Sequence, residues 1–480
     1  MFVVLAMFAA ACGQKPGVNK LAGGVLPAGA TINEQGQIVD AEGNVIGSAA
    51  DLGSGDLGGI TAAGGGGGGG DVADGTDAAS GAGGSEAPDE AVSGGGAPGT
   101  STTTGVTSGT IKIGAHAPIT GAAPVPSDSA QKGSDLYYKW LRQNNQAING
   151  RYVDSQLKND NYNPSQAVAV CKEMVERDRV FLLYGYAGTD QIQACARYSA
   201  SVGVPYLSAG VTEIGLTTLT NYFAISTSYP QQAPLLADLL VTQLGARKEK
   251  NGMLRFDTPN FDDAHGAFID AMGKRSARVS YDRAVSKGAG QAEAQTVVQE
   301  MKAAGLENVY VLTSPVWFLQ VLQAARSQSY EPQWVGVGIT KGLDTVASVG
   351  CRNGTLTRAK FFSPFPAWAD INKFDPDFQK AVAAVYPEED KGDDIMLIGW
   401  GMSKVIAELL EGAGRQLSRE IFIHSAERAK NVKTGVFPPV SFTPRDHFGG
   451  SQVHLNEAHC SGYKSGDNRW HTIKSYVSDF

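Results

Sequence analysis

From about residue 110 onward, the spacing of hydrophobic residues switches repeatedly between two periods. Alternating or short continuous apolar runs predict β-strands, and apolar residues three to four positions apart predict helices. The predicted strands cover 110–119, 152–158, 180–184, 252–256, 309–313 and 334–337, and predicted helices include 292–303 and 318–326. This alternation is typical of doubly wound α/β folds with parallel sheets. Because about 370 residues exceed one usual domain, we predict two lobes.

The helix after the second predicted strand has a start that can be assigned residue by residue. Asn163 is a favourable N-cap, Pro164 suits the first turn, and Gln166 stands at the capping-box position. We therefore expect a helix from residue 164 whose buried face includes Cys171 and Met174.

The preceding segment has a different composition. Residues 13–108 contain no Phe, Trp or Tyr but hold 28 of the 60 glycines. So little apolar surface cannot offset the entropy of ordering, which predicts a disordered tether. Within it, the alternating residues of 36–47 are compatible with a small hairpin.

The negative charge of the chain also belongs to this tether. It carries two lysines against eleven acidic residues, a net charge of −9, whereas the whole chain carries −8. The remainder is therefore near +1, and its charges form no basic stripe. This pattern argues against nucleic acid as a partner and predicts nothing about a cationic ligand.

The N-terminus predicts export. Residues 2–11 are apolar and lead into small residues and Cys12, which suits a signal peptide and is too short to span a bilayer. Small residues before a cysteine resemble a bacterial lipobox, although no Lys or Arg precedes the apolar run. We expect a lipoprotein that Cys12 anchors to the outer face of the cytoplasmic membrane. The alternative is an ordinary secretory signal with an incidental cysteine.

Four further cysteines follow: Cys171, Cys195, Cys351 and Cys460. An even number in an exported chain favours disulfides, and the absence of a CxxC pair argues against a metal site. No motif predicts a cofactor. The spacing alone leaves the pairing open.

Four motifs carry a family resemblance: IKIGAHAPITG, NGRYVDSQLKNDNYNPSQAVAVCKEMV, LYGYAGTDQ and SVGVPYLSAGVTE. In this order they resemble the branched-chain amino acid type of periplasmic substrate-binding proteins, the solute receptors of ABC importers. The resemblance implies two Rossmann-like lobes with parallel-rich sheets, joined by three crossovers and closing on a small ligand. It implies a monomer with a membrane permease as partner. The expected division is 1–12 signal peptide, 13–108 tether, 109–227 with 359–437 lobe 1, and 228–358 with 438–480 lobe 2.

The same resemblance suggests a cysteine pairing. In its strand order, the helices carrying Cys171 and Cys195 lie on one face of lobe 1, while Cys351 and Cys460 both fall in lobe 2. We expect disulfides 171–195 and 351–460, with buried free thiols as the alternative.

The segment LYGYAGTDQ, residues 183–191, combines a strand, a glycine turn and a helix start. It lacks the lysine of a phosphate P-loop and the glycine interval of a dinucleotide site. What remains suits a carboxylate or another small anion. The resemblance matches Thr189, next to Gly188, to a serine that binds the ligand's carboxylate. It adds the main chain of Gly210 and the hydroxyl of Thr212.

The second lobe departs from the family. Amino acid binders hold the α-ammonium with a carboxylate where this chain has Gly338. Phe261 replaces a tyrosine, Ser314 and Trp317 stand near the position of others, and Pro126 replaces the aromatic residue of the first loop. An unpaired buried ammonium costs several kcal/mol, which argues against a free α-amino acid. The expected ligand is a carboxylate, amide or amino-acid-like compound with an apolar or aromatic body.

Two other functions are weighed against solute import. The same closure could report a ligand to a signalling partner. Ser129 and Lys132 form an SxxK pair and Lys433 begins a KTG, pieces of penicillin-recognising serine enzymes, but the element expected between them is missing. We therefore expect no catalysis. His447, His454, His459 and His471 lack metalloenzyme spacing and are expected at the surface.

Overall fold

The computed structural model describes residues 31–32, 37–39, 45–48, 102–246, 250–338, 344–352, 354–389, 391–460 and 469–479. The predicted signal peptide, Cys12 and most of the predicted tether lie outside these residues. No helix in the described ranges is both long enough and apolar enough to cross a membrane.

The elements follow one another as the sequence predicts. The strands are β1 Thr31–Ile32, β2 Gln37–Val39, β3 Val45–Ser48, β4 Thr110–Ala117, β5 Tyr152–Asn159, β6 Leu182–Gly185, β7 Tyr206–Ser208, β8 Tyr222–Ala224, β9 Asn251–Phe256, β10 Val279–Val285, β11 Asn308–Leu312, β12 Gln333–Gly336, β13 Lys360–Ser363, β14 Val453–His459 and β15 Arg469–Val477. The helices are α1 Ser127–Gln143, α2 Pro164–Glu176, α3 Thr189–Ser201, α4 Tyr229–Asp238, α5 Asp262–Lys274, α6 Gln291–Ala303, α7 Pro315–Ser327, α8 Asp344–Arg352, α9 Asp377–Val385, α10 Asp394–Ala413 and α11 Arg419–Ala426. The predicted start of α2 is confirmed, because the side chain of Asn163 accepts a hydrogen bond from the Gln166 amide at 3.0 Å.

Lobe 1 is built on a five-stranded sheet in the order β5-β4-β6-β7-β8, with every neighbouring pair parallel. Helices α1, α10 and α11 contribute to one of its cores, and α2 and α3 to the other. Both cores are needed because a parallel sheet presents apolar residues on both faces.

Lobe 2 is built on a seven-stranded sheet in the order β10-β9-β11-β12-β13-β14-β15. The first five strands are parallel, β14 pairs antiparallel with β13, and β15 pairs antiparallel with β14. The predicted two-lobed α/β fold with parallel-rich sheets is confirmed. One boundary differs: β13 pairs within the lobe 2 sheet, so the chain returns to lobe 1 after Ser363 rather than at 358/359. The last crossing also comes later than 437/438, because the chain still pairs with β8 of lobe 1 at Phe448.

The crossing segments run close together. A Cβ on Gly450, in the last crossing, would lie 2.1 Å from the backbone nitrogen of Thr227 in the first. Only a residue without a side chain permits this approach. The first and last crossing segments are thus packed directly against each other.

Two parts of the predicted tether are ordered. Strands β1, β2 and β3 form a small antiparallel sheet, so the predicted hairpin over 36–47 is confirmed and gains a third strand. The tether also ends earlier than residue 108. The Gly105 carbonyl accepts a hydrogen bond from the Lys112 amide, and the Thr102 carbonyl accepts one from the Arg419 amide. These bonds attach the chain to lobe 1 from residue 102.

Both expected disulfides are present. Cys171 is bonded to Cys195 across helices α2 and α3, and Cys351 is bonded to Cys460 across α8 and the end of β14. Each bond joins two segments of one lobe, and neither of the two crosses from one lobe to the other. The alternative of free thiols is wrong for these four residues.

The four C-terminal histidines differ in exposure, and His447 is mostly buried, with its ring stacked on that of Phe223 at 4.3 Å between centroids. The rings of His459 and His471 stack at 4.5 Å between centroids on the partly exposed end of the β14–β15 hairpin. The expectation of a surface position is wrong for His454, which is fully buried between Phe374 and Tyr476. Val453 to Asn456 are all buried, so both faces of β14 are covered at this point and His454 is buried with its neighbours.

The burial of His454 predicts a specific acid sensitivity. Burial lowers the pKa of His454 to about 4. In the unfolded chain His454 is protonated below about pH 6.5, whereas in the folded chain it is protonated only below about pH 4. The free energy of unfolding therefore falls as the pH drops from about 6.5 to about 4. We expect the free energy of unfolding to lose about 2 kcal/mol from this residue between pH 7 and pH 5. Denaturant unfolding of His454→Phe at both pH values should show this difference removed. The exposed His424 provides the control, because His424→Gln should keep the wild-type loss of stability between pH 7 and pH 5. If His454→Phe also kept this loss, the acid sensitivity would not come from His454.

Candidate ligand-binding site

A cavity of about 160 Å³ lies between the two lobes. It is formed by the loops that follow β4, β6 and β7 in lobe 1 and β11 and β12 in lobe 2, where the carboxyl ends of both parallel sheets meet. Its walls are Pro118, Ala123, Pro124, Val125, Pro126, Tyr162, Tyr186, Ala187, Gly188, Thr189, Ala209, Gly210, Val211, Tyr229, Phe261, Thr313, Ser314, Pro315, Val316, Leu319, Gly338, Val346, Pro364, Phe365, Asp394, Ile395, Ile398 and Phe437. This position is the usual ligand site of open α/β sheets.

One part of the cavity wall is polar, namely the start of helix α3. Gly188 is the N-cap residue with φ of 87°, and Thr189 is the first helical residue. The leading amides of a helix carry unsatisfied donors and partial positive charge. The strand, the turn with a left-handed glycine and the helix start predicted from LYGYAGTDQ are present, and Gly188 and Thr189 stand in the cavity wall.

The rest of the wall is mainly aromatic and aliphatic. Tyr162, Tyr229, Phe261 and Phe365 contribute rings, and Ile395 contributes one of several aliphatic side chains. Among the described lining residues none is a lysine or arginine. An anionic ligand here would be held by dipoles and hydrogen bonds rather than by a side-chain cation.

Burial raises the pKa of two tyrosines in the cavity wall, Tyr162 and Tyr186. Tyr162 has a pKa raised above the ordinary tyrosine value, first by burial and then by Tyr229 and Asp160. Burial likewise raises the pKa of Tyr186 well above the ordinary value. Both side chains are therefore neutral phenols in the cavity wall at physiological pH.

Six of the eight predicted binding residues line the cavity: Gly188, Thr189, Gly210, Phe261, Ser314 and Gly338. Their roles differ in detail. The Gly210 amide donates to Ser226 Oγ at 2.9 Å, and Ser314 Oγ accepts a hydrogen bond from the Trp317 amide at 3.2 Å as the N-cap of α7. Pro126, at the position of the family's aromatic residue, also lines the wall.

The structure does not bring the other two, Thr212 and Trp317, to the cavity wall. Thr212 is fully buried, and its hydroxyl donates to Asp263 Oδ2 of lobe 2 at 2.9 Å. Trp317 is buried in lobe 2, where its ring lies 5.7 Å from that of Phe256. Thr212 thus holds the lobes together beside the cavity, and Trp317 is a core residue.

The space in which a side chain at Gly338 would lie is occupied by the ring of Tyr229. Its φ is +65°, and a Cβ there would lie 2.0 Å from Cε1 of Tyr229. Tyr229 is itself part of the cavity wall and packs edge-on to Phe261 at 6.1 Å. The position that holds a carboxylate in amino acid binders therefore has no room for any side chain here.

Sequence reasoning missed Asp394, the one charged residue among the described lining residues. It is nearly fully buried at the start of α10, and its Oδ2 accepts a hydrogen bond from the Asp344 amide of lobe 2 at 3.1 Å. The Asp-Asp pair before an apolar helix marks a helix start, and Asp393 does cap α10. Nothing in that pattern indicates that the second aspartate faces a cavity.

Several polar contacts join the lobes next to the cavity. The carboxylate of Asp263 in lobe 2 accepts bonds from Thr212 and from the Glu213 amide at 2.7 Å. In the opposite direction, Asp190 in lobe 1 accepts bonds from Thr258 and Asn260 of lobe 2 at 3.1 and 2.8 Å. The structure is thus a closed arrangement in which each lobe extends a carboxylate to donors on the other.

The SxxK pair has a structural role. Ser129 donates to Asp393, the cap of α10, at 2.5 Å. Lys132 forms ion pairs with Asp128, Glu388 and Glu389. Although burial lowers the pKa of Lys132, these carboxylates raise it above its ordinary value. A lysine held in its charged form cannot accept a proton from Ser129, so these two residues do not form a nucleophile and base.

Among the described residues, one group of three potential metal ligands lies together, His116 with Cys171 and Cys195. Both sulfurs are in the disulfide, and the ring nitrogens of His116 bond Asp160 at 2.7 Å and Tyr206 at 2.6 Å. These bonds join the ends of β4 and β5 to the start of β7.

Comparison with known proteins identifies the family. The sequence model of a family described as periplasmic binding protein matches residues 110–462, most of the chain. The chain belongs to this family. None of the curated proteins searched is similar enough to count as a match.

Solved structures support the same fold for this periplasmic binding protein. A branched-chain amino acid ABC transporter protein from Thermus thermophilus with bound valine has 14% identity and a TM-score of 0.65, covering 78% of this chain and 98% of its own. A solute-binding protein from R. palustris in complex with benzoate has 16% identity and a TM-score of 0.62, covering 77% and 98%. A fatty acid ABC transporter substrate-binding protein from Thermomonospora curvata has 17% identity and a TM-score of 0.63, covering 78% and 94%. At these identities the likeness establishes the fold, that of type I periplasmic binding proteins.

Membership gives this periplasmic binding protein a solute-binding role and an extracytoplasmic location. The two disulfides agree with that location, because disulfides persist in oxidising compartments. Proteins of this family are as a rule binding proteins rather than enzymes, which is consistent with the surroundings of Ser129 and Lys132.

Proposed function

We propose that this periplasmic binding protein captures a small organic carboxylate with an apolar or aromatic body and delivers it to an ABC importer. The observation that carries the proposal is the composition of the cavity wall. The start of α3 forms a polar part of the wall, and aromatic rings and aliphatic side chains form most of the rest. A cavity of about 160 Å³ is similar to an engineered cavity of roughly 150 Å³ that accepts benzene.

The mechanism follows from the two-lobed arrangement. An open form admits the ligand, and closure brings lobe 2 residues such as Phe261 and Gly338 over a ligand bound at the start of α3. Hydrogen bonds between Thr212 and Asp263 and between Asn260 and Asp190 form only when the lobes meet. The closed form is then what a membrane permease recognises.

We further propose that Cys12 carries a lipid anchor and that the acidic glycine-rich segment acts as a leash. A leash of this length would let the two lobes reach a permease while the anchor remains in the membrane. Metabolic labelling with a palmitate analogue should mark the wild-type chain and not Cys12→Ser. Labelling of both forms would remove the anchor from the proposal.

Replacing Thr189 with alanine should weaken carboxylate binding by about ten- to a hundredfold, because a hydrogen bond to a charged group contributes roughly 1.5–3 kcal/mol. A thermal-shift screen of aromatic and aliphatic carboxylates, amides and amino acids on the full chain identifies the compound to titrate. Calorimetry on wild type, Thr189→Ala and Thr189→Ser then measures the effect. The serine variant keeps the hydroxyl and serves as the matched control.

Equal affinity in all three variants would contradict the assignment of Thr189. The importer is tested separately, by uptake of the labelled compound in cells with and without the gene. Binding without any dependence of uptake on the gene would favour a sensor that signals to a membrane partner.

A further inference from the structure

The polar end of the cavity contains an electrostatic conflict. Thr189 begins α3, and Asp190 follows it in the first turn. Consecutive Cα atoms are about 3.8 Å apart, so the carboxylate of Asp190 lies within roughly 10 Å of a ligand head at Thr189. An unneutralised carboxylate there would repel an anionic ligand and compete with it for the positive end of the helix.

Lys287 of lobe 2 resolves this conflict. It lies two residues after β10, and its ammonium forms an ion pair with Asp190 Oδ2 of lobe 1. The same ammonium lies 5.6 Å from the ring centroid of Tyr162, which lines the cavity. Lys287 therefore reaches two segments of lobe 1, at Asp190 and at Tyr162, while its backbone belongs to lobe 2.

The ion pair is only partly hydrated. The side chains of Lys287 and Asp190 are 26% and 18% exposed. The other carboxylate oxygen of Asp190 accepts the bonds from Thr258 and Asn260. These three partners, Lys287, Thr258 and Asn260, all lie in lobe 2, so separation of the lobes would remove them from Asp190.

We propose that Lys287 is a positioning residue that makes the closed site selective for an anionic head, by neutralising Asp190 when the lobes meet. This inference rests on the proposed carboxylate ligand and adds the residue pair that couples its charge to closure. In the open form Asp190 is exposed to water, which screens it. In the closed form, Lys287 replaces that water.

Four forms of the full chain test the pair: wild type, Lys287→Met, Asp190→Asn and the double variant. Each is titrated by calorimetry with benzoate and benzamide and with 3-phenylpropionate and 3-phenylpropionamide, which differ only in the charge of the head. The readout is the ratio of carboxylate to amide affinity. Methionine keeps the length and apolar contact of the lysine stem over Tyr162.

The ratio should fall about tenfold in Lys287→Met, because Asp190 is left uncompensated. It should rise above wild type in Asp190→Asn, where Lys287 is unopposed, and return close to wild type in the double variant. Arg275→Met is the control. It removes an ion pair with Asp238 of similar exposure, 25% and 27%, inside lobe 2, and should leave the ratio unchanged.

Two failures are distinguishable. If wild type binds either acid but the ratio is the same in Lys287→Met and Asp190→Asn, the pair is only structural and this inference is wrong. If wild type binds none of the four compounds, the small apolar carboxylate is wrong as ligand class, and the inference falls with it.

Discussion

Replacing Gly338 with alanine is expected to weaken ligand binding by about a hundredfold or more. The new methyl group would lie 2.0 Å from Cε1 and 2.6 Å from Cζ of Tyr229, far inside contact distance. Either the Tyr229 ring moves into the cavity or the loop after β12 moves away from it. Both outcomes change the wall on which the ligand packs. Overpacking costs up to about 3 kcal/mol or more, and about 3 kcal/mol corresponds to roughly a hundredfold in affinity.

The effect of the backbone conformation can be separated from that of the collision. Gly338 has φ of +65°, so any side chain there adds strain of roughly 1–2 kcal/mol. Gly354 has φ of +75°, and a Cβ there would meet nothing within 4 Å. Gly354→Ala should therefore lose similar stability in denaturant unfolding while keeping wild-type affinity by calorimetry. Wild-type affinity in Gly338→Ala would show that Tyr229 does not shape the site.

This collision also explains why the second lobe lacks a carboxylate. From the sequence, Gly338 is a vacancy where amino acid binders have an acidic residue. In the structure the space beside this position is filled by the ring of Tyr229, the first residue of α4. A substitution to aspartate or glutamate would thus not restore an ammonium site, because the space for the side chain is already taken.

The features that could be predicted from the sequence are those determined locally. The start of α2 follows from Asn163, Pro164 and Gln166, and the glycine turn before α3 follows from LYGYAGTDQ. The strand order and both disulfides agree with the family resemblance. Each depends on neighbours in sequence or on a pattern repeated throughout the family.

The features that could not be predicted depend on how the two lobes meet. Thr212 matches a ligand-binding position, yet Asp263 of lobe 2 takes its hydroxyl. Asp394 reads as part of a helix start, yet it lines the cavity and bonds the Asp344 amide of the other lobe. Similarly, β13 belongs to lobe 2 because β14 returns beside it from the end of the chain. Such contacts between distant segments leave no local signal.

Because this chain has Gly338 where amino acid binders have a carboxylate, we expect its site to discriminate against a ligand that carries an ammonium group. A buried ammonium without a partner costs several kcal/mol, which corresponds to more than about a hundredfold in affinity. Among the described lining residues only Asp394 carries a negative charge, and it already accepts a bond from Asp344. The start of α3, by contrast, suits a carboxylate.

The most direct test is a calorimetric titration of the full chain with three compounds that share a phenyl body. These are 3-phenylpropionate, phenylalanine, which adds an α-ammonium, and 2-phenylethylamine, which lacks the carboxylate. The proposed site predicts that 3-phenylpropionate binds at least about a hundredfold more tightly than either amine. If phenylalanine bound as tightly as 3-phenylpropionate or more tightly, a residue such as Asp394 would be binding the ligand's ammonium. The proposal that the cavity binds a carboxylate and has no partner for an ammonium would then be contradicted.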